Sequence, residues 1–183
     1  MPNPTPIRLV FVGCGNCLRI SFGPVLPFVN GLEVVAAVDP SNEALVHARD
    51  VYGIPRGYPS LTECLKHETV DAVLIAAPVY DHRDLAITCA EHHLHVLMEK
   101  PMARTPAECS EMISAHQQAG TILMIAFMKR FNRSMLHVAG LLEENAIGRV
   151  MGIRHNWDWG GNEQASFGSH WRGRVETWGG QWQ

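Results

Sequence analysis

Short apolar runs alternate along this chain with stretches in which apolar residues recur every three or four positions. Ile7–Val12 is the first run, and Glu33–Val38, closing on Asp39, is the second. Ala72–Ala76, His95–Met98 and Thr121–Phe127 are three more. Runs of four to seven residues with so little polar alternation predict strands covered on both faces. That in turn predicts an α/β fold with a doubly wound parallel sheet and helices on each side.

The helical stretches carry their own start and stop signals. Ser60 with Glu63, and Thr105 with Glu108, fit the capping box, in which the hydroxyl accepts from the N3 amide and the glutamate reaches back to the cap. Pro106 suits the first helical position, where a missing N–H loses nothing. Behind it Cys109, Met112, Ile113 and His116 are spaced as one buried face, and Gly120 closes the helix. Ser41 opens the helix after the second strand and Gly53 ends it. His92-His93-Leu94-His95 reads as a helix-to-strand turn rather than a metal site, with His93 in the left-handed C′ position.

After Gly148 the pattern changes to a period of two. Met151, Ile153, His155, Trp157 and Trp159 alternate with Gly152, Arg154, Asn156 and Asp158, which predicts a strand over Arg149–Trp159 with one packed and one polar face. All five tryptophans (Trp157, Trp159, Trp171, Trp178, Trp182) follow Asn156. A nucleotide-binding domain over 1–127 is therefore expected. A connecting helix and the start of a second domain follow over 128–183, the second domain proper opening near Arg149.

Composition narrows the function. The 183 residues are 46% hydrophobic and 18% charged, which suits a globular protein. A net charge of −3 and pI near 6.3 argue against a nucleic-acid partner. No apolar run approaches the ~18 residues of a membrane span, and Met1–Pro6 lacks the basic and apolar regions of a signal peptide. The five cysteines are odd in number and scattered, as expected of reduced thiols in the cytoplasm.

The chemistry concentrates where strands end. Gly13-Cys14-Gly15-Asn16-Cys17-Leu18 closes the first strand and opens a helix. Gly13 permits the tight turn, and Gly15 lets the backbone approach a pyrophosphate seated against the helix N-terminus. Leu18 stands where the G-x-G-x-x-G fingerprint has its third glycine. Asp39 ends the second strand, placed to accept from the adenosine ribose hydroxyls. The alternative is that Asp39-Pro40-Ser41 is only a turn and helix cap. No arginine or lysine lies between Asp39 and Arg49, so NAD is expected rather than NADP. Cys14 and Cys17 form a C-x-x-C spacing, but a redox or metal role would compete for the phosphate loop. Glu99-Lys100-Pro101 follows the strand His95–Met98. A lysine there can reach a substrate hydroxyl and help to move its proton.

These residues carry a family resemblance. Ala76-Ala77-Pro78-Val79-Tyr80-Asp81-His82, Glu99-Lys100-Pro101, Lys129-Arg130-Phe131-Asn132 and Ile147-Gly148-Arg149-Val150 resemble the Gfo/Idh/MocA family of glucose–fructose oxidoreductase and inositol 2-dehydrogenase. The resemblance implies a Rossmann domain followed by an α/β domain with an open antiparallel sheet. It implies NAD(P)-dependent hydride transfer at a carbinol carbon of a sugar, cyclitol or similar small molecule. Gly13, Gly15, Asn16 and Cys17 are then expected along the pyrophosphate and Asp39 on the ribose. Ala77, Pro78 and His82 are expected along the dinucleotide and Glu99 near the nicotinamide ribose, with Lys100 and Pro101 also among the cofactor-binding residues and Lys100 beside the substrate as the catalytic residue. No metal is expected, and copies are expected to associate through the C-terminal sheet.

The chain departs from the family pattern. Ala77 and Val79 replace a usual Thr and Asn, Leu18 a small residue, and His93 a glycine. Trp171-Arg172 and Gly179-Gly180 resemble the approach to the family's catalytic Asp and His, which would begin just past Gln183. The chain alone is thus expected to hold cofactor without appreciable turnover. The alternative is an NAD-binding sensor or subunit.

Overall fold

A computed structural model describes residues 5–156. Six strands form one sheet: β1 (Ile7–Val12), β2 (Leu32–Val38), β3 (Gly57–Tyr58), β4 (Ala72–Ile75), β5 (His95–Met98) and β6 (Leu123–Ile125). Their order is β3-β2-β1-β4-β5-β6 and every pairing is parallel. This is the doubly wound arrangement, with its switch point between β1 and β4. The helices are α1 (Asn42–Tyr52), α2 (Leu61–His67), α3 (Val79–Glu91), α4 (Pro106–Ala119) and α5 (Arg133–Glu143). β3 has no counterpart in the apolar pattern, because a two-residue strand is too short to show a period.

β1 shows why the strands read as continuous apolar runs. Leu9 and Phe11 enter one core with Leu18 and Leu74, while Val10 and Val12 enter the other with Ile75, Met98 and Met112. Both faces are covered, so alternation brings no polar position to solvent.

The hydroxyl halves of the expected caps form. Ser60 Oγ accepts from Glu63 N at 3.2 Å and Thr105 Oγ1 from Glu108 N at 3.2 Å. The glutamate halves go elsewhere: Glu63 pairs with Lys66 and His67, and Glu108 accepts from Arg104 N one residue before the cap. Ile113 also departs from expectation. It is 44% exposed, and Met112 and His116 carry the buried face of α4. His93 takes the C′ position of α3 with φ 56°, and Leu94 N donates to Cys89 O at 2.9 Å.

The expected strand over Arg149–Trp159 is not found in its described part. Residues 149–156 are not in a strand, and Met151 and Ile153 stay 82% and 83% exposed. A period of two makes a strand only when a neighbour supplies its ladder. No such neighbour exists among the described residues, and the only sheet among them is parallel, not antiparallel. The tryptophans and the Gly179-Gly180 element lie outside the described residues.

One ion pair ties the start of β1 to the turn before β4. Arg8 Nε and Nη2 donate to Asp71 Oδ2 and Oδ1 at 2.9 and 2.7 Å, and Arg8 N adds a third bond at 2.8 Å. These bonds hold the Asp71 carboxyl down at about 2 against an ordinary 3.8. A depressed carboxyl stabilises the fold above its ordinary value and loses that stabilisation as pH falls through about 2. Asp71→Asn should therefore lower Tm by a few degrees at pH 7, and the gap to wild type should close as pH falls from 3.8 to about 2. Thermal melts followed by circular dichroism across that range test this.

Candidate cofactor site

Register places the site. Val12 pairs with both Val38 and Ile75, and Ile75 pairs with Met98. The next residues, Gly13, Asp39, Ala76 and Glu99, therefore leave the sheet at one level, at the carboxyl ends where ligands of such sheets bind. A cavity of about 720 Å³ opens there, within the usual range for small-molecule sites.

Gly13 turns with φ 93° and donates to Val38 O at 2.8 Å. A Cβ on Gly13 would stand 2.5 Å from Ala77 N and 2.6 Å from the Ala76 carbonyl carbon. Gly15 is the opposite case. A Cβ there would meet nothing within 4 Å, so the space over it belongs to the cavity. Neither Gly15 N–H nor Asn16 N–H donates to a protein acceptor among the described residues. Backbone donors facing open space at a helix start are what a pyrophosphate needs, so the loop fits the dinucleotide.

The helix that follows is short. It starts at Asn16 and passes into a π-helical turn over Leu18–Phe22, closed by Gly23 N donating to Leu18 O at 2.7 Å. Leu18 is fully buried with Phe11 and Leu74, filling space that the fingerprint's third glycine leaves for close helix–strand packing. π-turns are rare and frequent at functional sites.

The expected turn and cap both form, the cap through Ser41 Oγ accepting from Ala44 N at 3.3 Å, and Asp39 adds a bond that the sequence did not foretell. Its Oδ1 accepts from Ser41 N at 2.8 Å, and its Oδ2 accepts from Cys14 N at 2.8 Å across 25 residues. It thereby clips the glycine loop to the end of β2. Two oxygens offer about four acceptor positions, so capacity is left on the cavity side for ligand hydroxyls. Burial, and then the Asp39 charge, push the Cys14 thiol up to about 12. Cys14 is thus an inert core thiol, while Cys17 lines the cavity.

The expected site residues divide into two groups. Gly13, Gly15, Asn16 and Cys17 line the cavity, as do Asp39, Ala77 and Pro78. His82, Glu99, Lys100 and Pro101 do not. His82 is 1% exposed beneath the rim, and Glu99 is 7% exposed with one oxygen accepting from Lys100 N at 3.1 Å. Lys100 is exposed beyond β5, two strands from Gly13, on the order of 10 Å at ordinary sheet spacing. Sequence reasoning missed the opposite wall: Ser60 and Thr62 at the start of α2, and Asp81, Asp84 and Thr88 on α3. The last three recur at i, i+3 and i+7, a polar stripe beside the buried row of Val79, His82, Ala86 and Cys89.

The match to known proteins follows this geometry. The model of the oxidoreductase family with the NAD-binding Rossmann fold covers residues 7–127. The chain belongs to the Gfo/Idh/MocA oxidoreductase family. A trans-1,2-dihydrobenzene-1,2-diol dehydrogenase of Xenopus laevis is 35% identical over 136 residues, 69% of this chain and 41% of that protein. A myo-inositol 2-dehydrogenase of Thermotoga maritima is 28% identical over 148 residues, 81% of this chain and 44% of that protein. The chain spans less than half the length of either relative. Among solved structures, the WlbA dehydrogenase of Bordetella pertussis, in complex with NADH and UDP-GlcNAcA, superposes with a TM-score of 0.85 at 29% identity. That match covers 95% of this chain and 50% of that one.

The two glycines of this family member should respond differently to substitution. Gly13→Ala forces a Cβ into backbone and should destabilise the fold by about 2 kcal/mol or more. Gly15→Val adds its side chain to open space and should change stability by about 0.5 kcal/mol or less. Urea unfolding of the two variants reads the difference. Equal stabilities would show that the Gly13 contact relaxes freely.

Proposed function

We propose that this chain is the cofactor-binding portion of an NAD-dependent oxidoreductase. The whole protein would transfer hydride between the nicotinamide and a secondary alcohol or ketone of a sugar, cyclitol or similar small molecule. The open space over Gly15, faced by unpartnered N–H groups and rimmed by Asp39, carries this reading. The dehydrogenase relatives and the NADH-bound WlbA structure support the reaction class.

When bound, the dinucleotide supplies the hydride acceptor or donor. The rest falls to the chain. Gly15 and Asn16 donate backbone hydrogen bonds to the pyrophosphate, beside Gly13 and Cys17. Asp39 accepts from the adenosine ribose and repels a 2′-phosphate, favouring NAD over NADP. Ala77 and Pro78 form the rim against which the dinucleotide lies, and Glu99 stands toward the nicotinamide ribose. Lys100 Nζ hydrogen-bonds the substrate oxygen and helps to move its proton. Residues 1–127 form the dinucleotide domain in this reading. Residues 128–183 begin a second domain, with an open antiparallel sheet through which copies associate and the residues that choose the substrate. The five free thiols accord with a cytoplasmic location. No helix among the described residues is long and apolar enough to cross a membrane.

Titration calorimetry tests the reading. The chain should bind NAD in preference to NADP, and Gly15→Val should weaken NAD at least tenfold while leaving Tm in place. Asp39→Asn should cost about 1.5–3 kcal/mol of NAD affinity, the range for hydrogen bonds to a charged group, and narrow the preference over NADP. Absence of NAD binding by the folded wild-type chain overturns the proposal.

A further inference from the structure

Ala77 and Lys100 stand past the ends of different strands, and one buried ring lies between them. His82, in the first turn of α3, is 1% exposed. Its Nε2 is 3.0 Å from the carbonyl oxygen of Ala77. Its Nδ1 is 3.0 Å from the carbonyl of Pro101 and 3.3 Å from that of Met102. We propose that His82 is a positioning residue: one ring holds the cavity rim and the turn carrying Lys100, and so sets the spacing between bound dinucleotide and Lys100. The proposal rests on the NAD-binding reading above.

The linkage is continuous. Gly13 lies against the backbone of Ala76 and Ala77, so closely that a Cβ would be 2.5 Å from Ala77 N. Ala77 and Gly13 both line the cavity. The Ala77 carbonyl meets His82, and the same ring meets Pro101, the residue bonded to Lys100. The glycine loop, the cavity rim, the His82 ring and the turn carrying Lys100 thus form one unbroken series of close contacts.

The chemistry of the ring limits what can replace it. Carbonyl oxygens only accept, so each ring nitrogen hydrogen-bonds its segment only by donating. A neutral imidazole has one N–H and an imidazolium two. Burial is the largest influence and holds the ring's pKa below its ordinary value, the three carbonyls and the carboxylate of Asp81 on the same helix opposing it only in part. The neutral ring donates to one segment and packs against the carbonyl of the other, so its spacing role rests on its width as well as on one hydrogen bond. Glutamine keeps a donor near the Nε2 position and asparagine near Nδ1. Neither side chain spans both segments.

The test is an amide NMR titration of the full 183-residue chain with NAD. In wild type, NAD should shift amides of the glycine loop and also those of Lys100 and Met102. His82→Gln keeps the Ala77 arm: NAD affinity should stay within about threefold of wild type while the Lys100 and Met102 shifts are lost. His82→Asn keeps the other arm and should weaken NAD about tenfold, as should His82→Ala. Should His82→Ala fail to fold, the Gln and Asn variants carry the comparison. Wild-type shifts at Lys100 and Met102 that persist in all folded variants overturn the proposal and leave NAD binding standing. A wild-type chain whose glycine loop does not respond to NAD overturns the functional reading and this proposal together.

Discussion

Where β1 ends, the chain runs so close to the exit of β4 that no side chain fits between them. The Cβ that Gly13 lacks would stand inside backbone at Ala76 and Ala77. That approach exists because β1 and β4 are neighbours in the sheet although 59 positions separate Val12 from Asp71 in sequence, the stretch that runs outward through β2 and β3 and back. It fixes the glycine loop against the cavity rim at Ala77, beside the open space over Gly15. The contact is geometric rather than strongly attractive. It states how near two backbones must come, and only glycine permits that distance.

Polar groups then hold the loop in place. Asp39 joins the end of β2 to Cys14 N and Ser41 N with two oxygens, leaving acceptor capacity toward the cavity. His82 lies between the exits of β4 and β5, and His116 similarly lies between Ala86 O of α3 and the Thr121 hydroxyl beyond α4. Both histidines are buried, and each meets partners on separate segments. Burying an imidazole without partners is unfavourable, so these rings stay inside only because carbonyls and a hydroxyl meet them. They sit where the two segments must keep a fixed distance, which packing by apolar groups alone enforces less sharply.

Several of these features were legible along the chain. The runs Ile7–Val12, Glu33–Val38, Ala72–Ala76 and His95–Met98 read as strands because both faces of a parallel sheet are covered, so apolar residues need not alternate. Ser41, Ser60, Thr105, Gly53, Gly120 and His93 marked helix ends, because capping is a local interaction between residues a few positions apart. Gly13, Gly15 and Asp39 could be picked out for the same reason: a glycine turn or an acidic strand end is a local pattern.

Other features depended on residues far apart in sequence. β3 forms because β2 offers Ala37 and Val38 as partners for Gly57 and Tyr58. Residues 149–156 alternate correctly yet form no strand, because alternation needs a neighbouring ladder. Val12, Val38, Ile75 and Met98 stand level only through sheet register, and that register lines up the residues that follow them. Asp81, Asp84 and Thr88 face the cavity because α3 packs its other side into the core. The place of His82 beneath the rim, rather than on it, was likewise set in three dimensions. Local sequence determined which turns, caps and strands this chain can make. The tertiary fold decided which carbonyl faces which ring, because hydrogen-bond partners across the sheet are chosen by distance in space and leave no period in the sequence.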